Sequence, residues 1–220
     1  MENQKAHVVI VPASFAPSLL YSKFVQHLCK YDLDVTIVDL PSKAPNGVSK
    51  AERHAVQKPG GIVQLVYISS PVPEVGGSIM TIMEGNIPPF MKVEGGYLIS
   101  DTDGCANVNF SDLPYTNAIQ HARHMKAHSA ESFSSPLHHA GYLRIPVTYI
   151  ICEHDISVPP DFQRSVVDMI TTKASREVTT LVCNSGHFPN VSFPAELANL
   201  INSVVIRGSG ESLQGVRYTI

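Results

Sequence analysis

Two residues have the types and setting of proton-transfer chemistry. Asp155 closes the apolar run 147–155, Val-Thr-Tyr-Ile-Ile-Cys-Glu-His-Asp, and His187 closes the run 178–187, Val-Thr-Thr-Leu-Val-Cys-Asn-Ser-Gly-His. A carboxylate that accepts from one ring nitrogen fixes the imidazole tautomer and stabilises the imidazolium, which frees the other nitrogen to move a proton. The bland alternative is that Asp155 caps the turn at Pro159–Pro160 and His187 is a loop histidine. For either residue alone the bland reading is the better one, but their joint position favours a catalytic pair. A triad would add a nucleophile on a sharp strand-to-helix turn earlier in the chain. Nothing upstream fits Gly-x-Ser-x-Gly.

The elements that must position this pair are legible as alternating strands and helices. Short β-branched runs at 7–11, 34–40 and 62–69 precede the two already named, and helical spacing marks 17–31, 160–171 and 195–205. Strand, helix, strand at this spacing implies a parallel sheet. Ligands bind such sheets outside the carboxyl ends of the strands, so residues 12–15, 69–73, Asp155 and His187 should meet on one rim. Residues 71–112 are rich in Pro and Gly without clear periodicity and read as an irregular lid. Residues 117–134 read as one or two helices, and one short helix is expected around 49–56. The tail from Gly208 is polar and should fray.

From Lys58 to Ile201 the chain resembles a fungal and bacterial branch of the α/β-hydrolase superfamily, related to plant methyl esterases and hydroxynitrile lyases. The stretches that carry the resemblance are Gly60-Gly-Ile-Val-Gln-Leu-Val-Tyr-Ile68, Pro73-Glu-Val-Gly-Gly-Ser78, Asn109-Phe-Ser-Asp-Leu-Pro114, Ile151-Cys-Glu-His-Asp155 with Val158-Pro-Pro160, and Ser185-Gly-His187. His7-Val-Val-Ile-Val-Pro12 and Val38-Asp-Leu-Pro-Ser42 match the first two strands of the family. The resemblance implies that Asp155 is the triad acid and His187 the triad base. It also places Ala13, Ser14 and Phe15 in the loop where the family has one oxyanion-hole donor, and Ser69 and Ser70 at the next strand's end. These five are candidate substrate contacts, although for each serine a local hydrogen bond to the backbone is the simpler role.

The departure from the family is specific. Between Ser42 and Lys50 a helix, a buried strand, the serine elbow and its helix are expected, and only a short polar link stands there. The serine and half of an oxyanion hole belong to that unit. Ser78, in Gly76-Gly-Ser-Ile-Met80, is the nearest decoy and lacks the final glycine. Closing the gap would pair the first strand with 62–69. The expectation is therefore a single α/β domain over residues 1–220. It is a reduced α/β-hydrolase-like fold with a mostly parallel sheet of about five strands, flanking helices and a lid over about 71–140 after the third strand.

Composition excludes other classes. The net charge of -3 and 44% apolar content show no basic face for nucleic acid, and no apolar run approaches the roughly 20 residues of a membrane span. The N-terminus lacks a signal-peptide pattern, which points to the cytoplasm. Cys152 and Cys183 lie in strands and read as buried free thiols. His121, His124, His128, His138 and His139 lack a metal-site pattern, so neither a metal nor a cofactor is expected. The reading is an enzyme that acts by His187/Asp155 acid–base chemistry, of lyase, isomerase, dehydratase or cyclase type. Its substrate would be a small apolar molecule of the secondary-metabolite kind. The alternatives are an ester hydrolase with a relocated nucleophile or histidine-activated water, and a non-catalytic binding protein. Apolar surface left by the missing helices predicts a homodimer.

Overall fold

Five parallel strands form the frame in the computed structural model, which describes residues 6–38 and 61–209. β1 (His7–Ile10) pairs with β2 (Asp34–Ile37), and β3 (Leu65–Ile68), β7 (Val147–Cys152) and β8 (Thr179–Cys183) form a second sheet in the order β3-β7-β8. The expected link 42–50, the helix around 49–56 and the tail beyond 209 lie outside the described residues.

β7 shows why the second sheet holds together. All six of its residues are buried, as a central parallel strand covered on both faces requires. Successive side chains point to opposite faces, so Val147, Tyr149 and Ile151 enter one core while Ile150 and Cys152 enter the other. The first core is closed by α6 (Pro160–Ala174) through Val166 and Ile170. The second receives Phe24 and Leu28 of α1 (Ser22–Leu28), and Leu197, Ala198 and Ile201 of α8 (Pro194–Ser209). Each fully buried Leu, Ile or Phe of these faces is worth about 1.5–3 kcal/mol. α6 is well specified locally, with Pro160 at its first position, Asp161 in its first turn, Lys173 in its last and Ser175 left-handed at its end.

Two expectations are corrected. β1 does not pair with β3; among the described residues its ladder partner is β2, in the register His7↔Asp34 to Ile10↔Ile37. The two sheets are joined by side chains, because Ile10, Val8 and Val35 share an apolar cluster with Ile150 and Ile68. β3 is also shorter than 62–69. Its pairing with β7 starts at Leu65↔Val147, where Pro146 bounds the partner strand.

The lid is more regular than expected. β4 (Met91–Glu94) and β5 (Tyr97–Ser100) form an antiparallel hairpin, to which β6 (His128–Ser129) adds. Gly95 and Gly96 both have positive φ, +57° and +82°, the conformation a two-residue hairpin turn demands. The lid helices are α2 (Ile79–Ile82), α3 (Thr102–Asn109), α4 (Tyr115–Ala122) and α5 (Ala130–Ser134). α3 starts at Asp101, whose carboxylate accepts from the Gly104 N–H at 2.7 Å. His124 follows the end of α4 and His128 belongs to β6, so the two do not share a helix face. α7 (Pro189–Ser192) directly follows the His187 loop.

Candidate active site

The carboxyl ends of β3, β7 and β8 bring Ser69, Asp155 and His187 together. His187 Nδ1 lies 2.9 Å from Asp155 Oδ2, with the Asp155 side chain fully buried and that of His187 17% exposed. The other carboxylate oxygen, Oδ1, accepts from the backbone N–H groups of Ser157 at 2.7 Å and Val158 at 2.9 Å. Asp155 therefore both caps its own turn and holds the histidine. Burial alone would raise its pKa, but the His187 hydrogen bond and charge, the Ser69 hydroxyl and the Val158 N–H hold it below the ordinary carboxylate range. An ionised Asp155 makes Nδ1 the protonated nitrogen of neutral His187 and leaves the Nε2 lone pair free. Among the described residues nothing hydrogen-bonds Nε2.

Ser69 stands on the wrong side of the ring for a triad nucleophile. Its hydroxyl donates to Asp155 Oδ2, and its Oγ lies 3.2 Å from Nδ1, the nitrogen already committed to the carboxylate. A nucleophile must instead give its proton to Nε2. Ser69 is buried and has φ +44°, a backbone conformation that costs a non-glycine residue roughly 1–2 kcal/mol. Tyr149 holds it there: its hydroxyl accepts from the Ser70 N–H at 2.8 Å and donates to the Ser70 carbonyl at 2.7 Å.

The Asp155 loop is fixed from behind by Gln163, a fully buried residue of α6. Its side-chain amide accepts from Cys152 N at 2.9 Å and donates to Cys152 O at 3.2 Å and Val158 O at 2.7 Å. It thus acts as a surrogate strand where the sheet ends. The His154 N–H, 3.0 Å from Ser185 O, ties this loop to the one that carries His187. Sequence reasoning missed Gln163; a glutamine on the apolar stripe with Val166 and Ile170 was its signal.

The remaining candidates make their hydrogen bonds and ring contacts elsewhere. The Ala13 N–H donates to Tyr21 Oη at 2.8 Å, and Ser14 is exposed. Phe15, with φ +69°, packs against His128 and Phe133 of the lid, and its carbonyl accepts from Lys126 N at 2.8 Å. Ser70 contributes its backbone to Tyr149. Of the five, only Ser69 hydrogen-bonds the pair. Ser78 caps α2, accepting from the Thr81 N–H. Burial pushes the thiols of Cys152 and Cys183 up to about 12 and about 11, which removes both as thiolate nucleophiles near neutrality. An open depression of about 490 Å³, lined by Asp112, His154, Asn184 and Phe193 among others, adjoins these loops, and neither Asp155 nor His187 lines it.

A carboxylate and a histidine thus end consecutive parallel strands, after an inserted segment with its own hairpin. The chain belongs to the alpha/beta hydrolase family, whose model matches residues 44–200. A protein named probable hydrolase from a Phoma species is 28% identical over 236 residues, covering 90% of this chain and 97% of that protein. The alpha/beta hydrolase nvfD of Aspergillus novofumigatus is 26% identical over 179 residues, covering 80% of this chain and 67% of its own. Among solved structures, a pyrethroid hydrolase from Sphingobium faniae superposes with a TM-score of 0.70 at 16% identity, covering 94% of this chain and all of its own. Polyneuridine aldehyde esterase gives 0.67 at 15%, with 92% of this chain and all of its own covered. At these identities the solved structures show the fold.

Proposed function

We propose that the protein is an enzyme in which His187 carries a proton at Nε2 without a serine nucleophile. The observation that carries this reading is the side of the ring each partner occupies. Asp155 and Ser69 both lie at Nδ1, which leaves Nε2 as the working atom. A base positioned in this way contributes about 10²–10⁴-fold to a proton-transfer step. The substrate is a small apolar molecule bound under the lid, and the reaction is of lyase, isomerase, dehydratase or cyclase type. The missing elbow is supported by the sequence, which contains no Gly-x-Ser-x-Gly. The alignment with the Phoma protein runs over 236 residues against the 220 of this chain, so that protein has positions this chain lacks, as the loss of a unit requires.

A second reading draws on the names of the relatives, both called hydrolases. The same Nε2 lone pair would then take a proton from water, and the resulting hydroxide would attack an ester carbonyl. Both readings need His187, and neither needs an acylated serine. The test is a fluorophosphonate probe followed by intact mass and peptide mapping. The reading expects an unmodified chain. A stoichiometric adduct on Ser69, or on Ser49 of Gly47-Val-Ser-Lys-Ala51, would overturn it.

A further inference from the structure

His187 is flanked in the chain by two residues that the lid holds directly. On one side, the Gly186 N–H donates to Asp112 Oδ2 at 2.6 Å. On the other, the ring of Phe188 stacks on Phe110, with centroids 4.8 Å apart and planes at 22°. Phe188 in turn meets the His187 imidazole edge to face at 5.1 Å and 88°. Phe110 and Phe188 are both buried. Asp112 and Phe110 belong to the turn after α3, closed by Leu113 N to Phe110 O at 3.0 Å, so one short lid segment supplies both grips.

Asp112 is an unusual partner for a backbone amide. Its second oxygen, Oδ1, is buried and has no hydrogen-bond partner among the described residues. Leaving a buried carboxylate oxygen unsatisfied is costly, and each such group calls for an explanation. The carboxylate also lies flat against the Gly186 α carbon. A Cβ at Gly186 would sit 2.8 Å from Asp112 Cγ, so only glycine admits this approach. The loop after β7 holds the same segment through the His154 N–H and the Ser185 carbonyl.

We infer that Asp112 is a positioning residue for His187: through the Gly186 N–H, with Phe110 on Phe188, the lid sets the imidazole against Asp155. The inference rests on the reading of His187 as the proton carrier. The lid then does more than cover a substrate, because a lid displaced at Asp112 releases the loop that carries the base.

The test reads the loop and the imidazole directly in the ¹⁵N-labelled full chain, independently of turnover. Asp112→Ala should accelerate hydrogen exchange at the Gly186 amide by about ten- to a hundredfold, the range a hydrogen bond to a charged acceptor supplies. It should also broaden or abolish the low-field resonance of the His187 Nδ1–H. Asp112→Asn keeps an acceptor in place and places an amide donor at the unpartnered oxygen, so it should retain both signals. Asp112→Glu keeps the charge but moves it by one methylene and should behave like the alanine variant. If Asp112→Ala does not fold, Asp112→Glu and Phe110→Leu carry the comparison. Unchanged Gly186 exchange and an unchanged Nδ1–H signal in the folded variants would overturn the inference, even if His187→Ala abolished turnover. Conversely, loss of these signals would stand even if His187→Ala left turnover intact.

Discussion

Replacing Ser69 by Ala separates a supporting hydroxyl from a nucleophile. The hydroxyl donates to the ionised Asp155, whose side chain is fully buried, so solvent screening does not weaken the bond. A hydrogen bond to a charged group contributes about 1.5–3 kcal/mol, and Ser69→Ala should destabilise the fold by that amount at pH 7. The sign of the pH dependence follows from Asp155, whose folded pKa is lowered, with Ser69 among the causes. Stability from a lowered carboxylate is fully present above its unfolded pKa of about 3.9 and is lost as pH falls through the folded value. Urea unfolding of the two proteins should therefore show a gap at pH 7 that narrows at pH 3. Turnover should fall by no more than about tenfold, because Nε2 is untouched, whereas loss of a true serine nucleophile costs about 10⁶-fold. A gap that does not change with pH would refute the assignment of the bond to ionised Asp155. A loss of turnover matching removal of a nucleophile would refute the role given to Ser69.

Gln163→Ala removes three hydrogen bonds and strands the Cys152 N–H and the Val158 carbonyl in the interior, while the Cys152 carbonyl keeps the Asp155 N–H. The expected cost is at least about 3 kcal/mol, read as a melting temperature lower by about 6–12 °C; a shift under about 2 °C would contradict the bracket assigned to this residue. Val9 and Val11, on the same face of β1 and its exit, each keep 56% of their surface in solvent. Self-association should cover them, so analytical ultracentrifugation at micromolar concentration should give twice the 23.9 kDa chain mass, and Val9→Lys should return it to the monomer.

Asp155 was legible because β7, a parallel strand buried on both faces, is a continuous apolar run, and His187 because it follows the shorter run of β8, whose Thr179, Thr180 and Val182 stay exposed. A titratable residue that ends such a run stands at a carboxyl end by construction. That logic located Asp155, His187 and the serines after β3, while helical spacing located α6 and α8. It did not say which atom of the ring each partner meets, since a strand end fixes a residue to within a few ångströms and a hydrogen bond is set by the turn. Tyr149, which holds Ser70, and the left-handed φ of Ser69 are products of packing across strands that are 79 residues apart in the chain. The lid hairpin was legible in principle: Gly95-Gly96 between Met-Lys-Val-Glu and Tyr-Leu-Ile-Ser is a hairpin signal, hidden by the short strands and the surrounding prolines. Asp112 carried no signal of its own, because an aspartate before Leu-Pro reads as a turn residue until its partner is seen.

Whether His187 moves the proton is read most directly from turnover. A thermal-shift panel of small apolar esters and polyketide- or terpenoid-like acids identifies a compound the protein binds, and turnover of that compound is then compared in the native chain and in His187→Ala. In His187→Ala kcat should fall by about 10²–10⁴-fold while the variant keeps its fold. A folded His187→Ala protein with unchanged kcat would contradict His187 as the proton carrier.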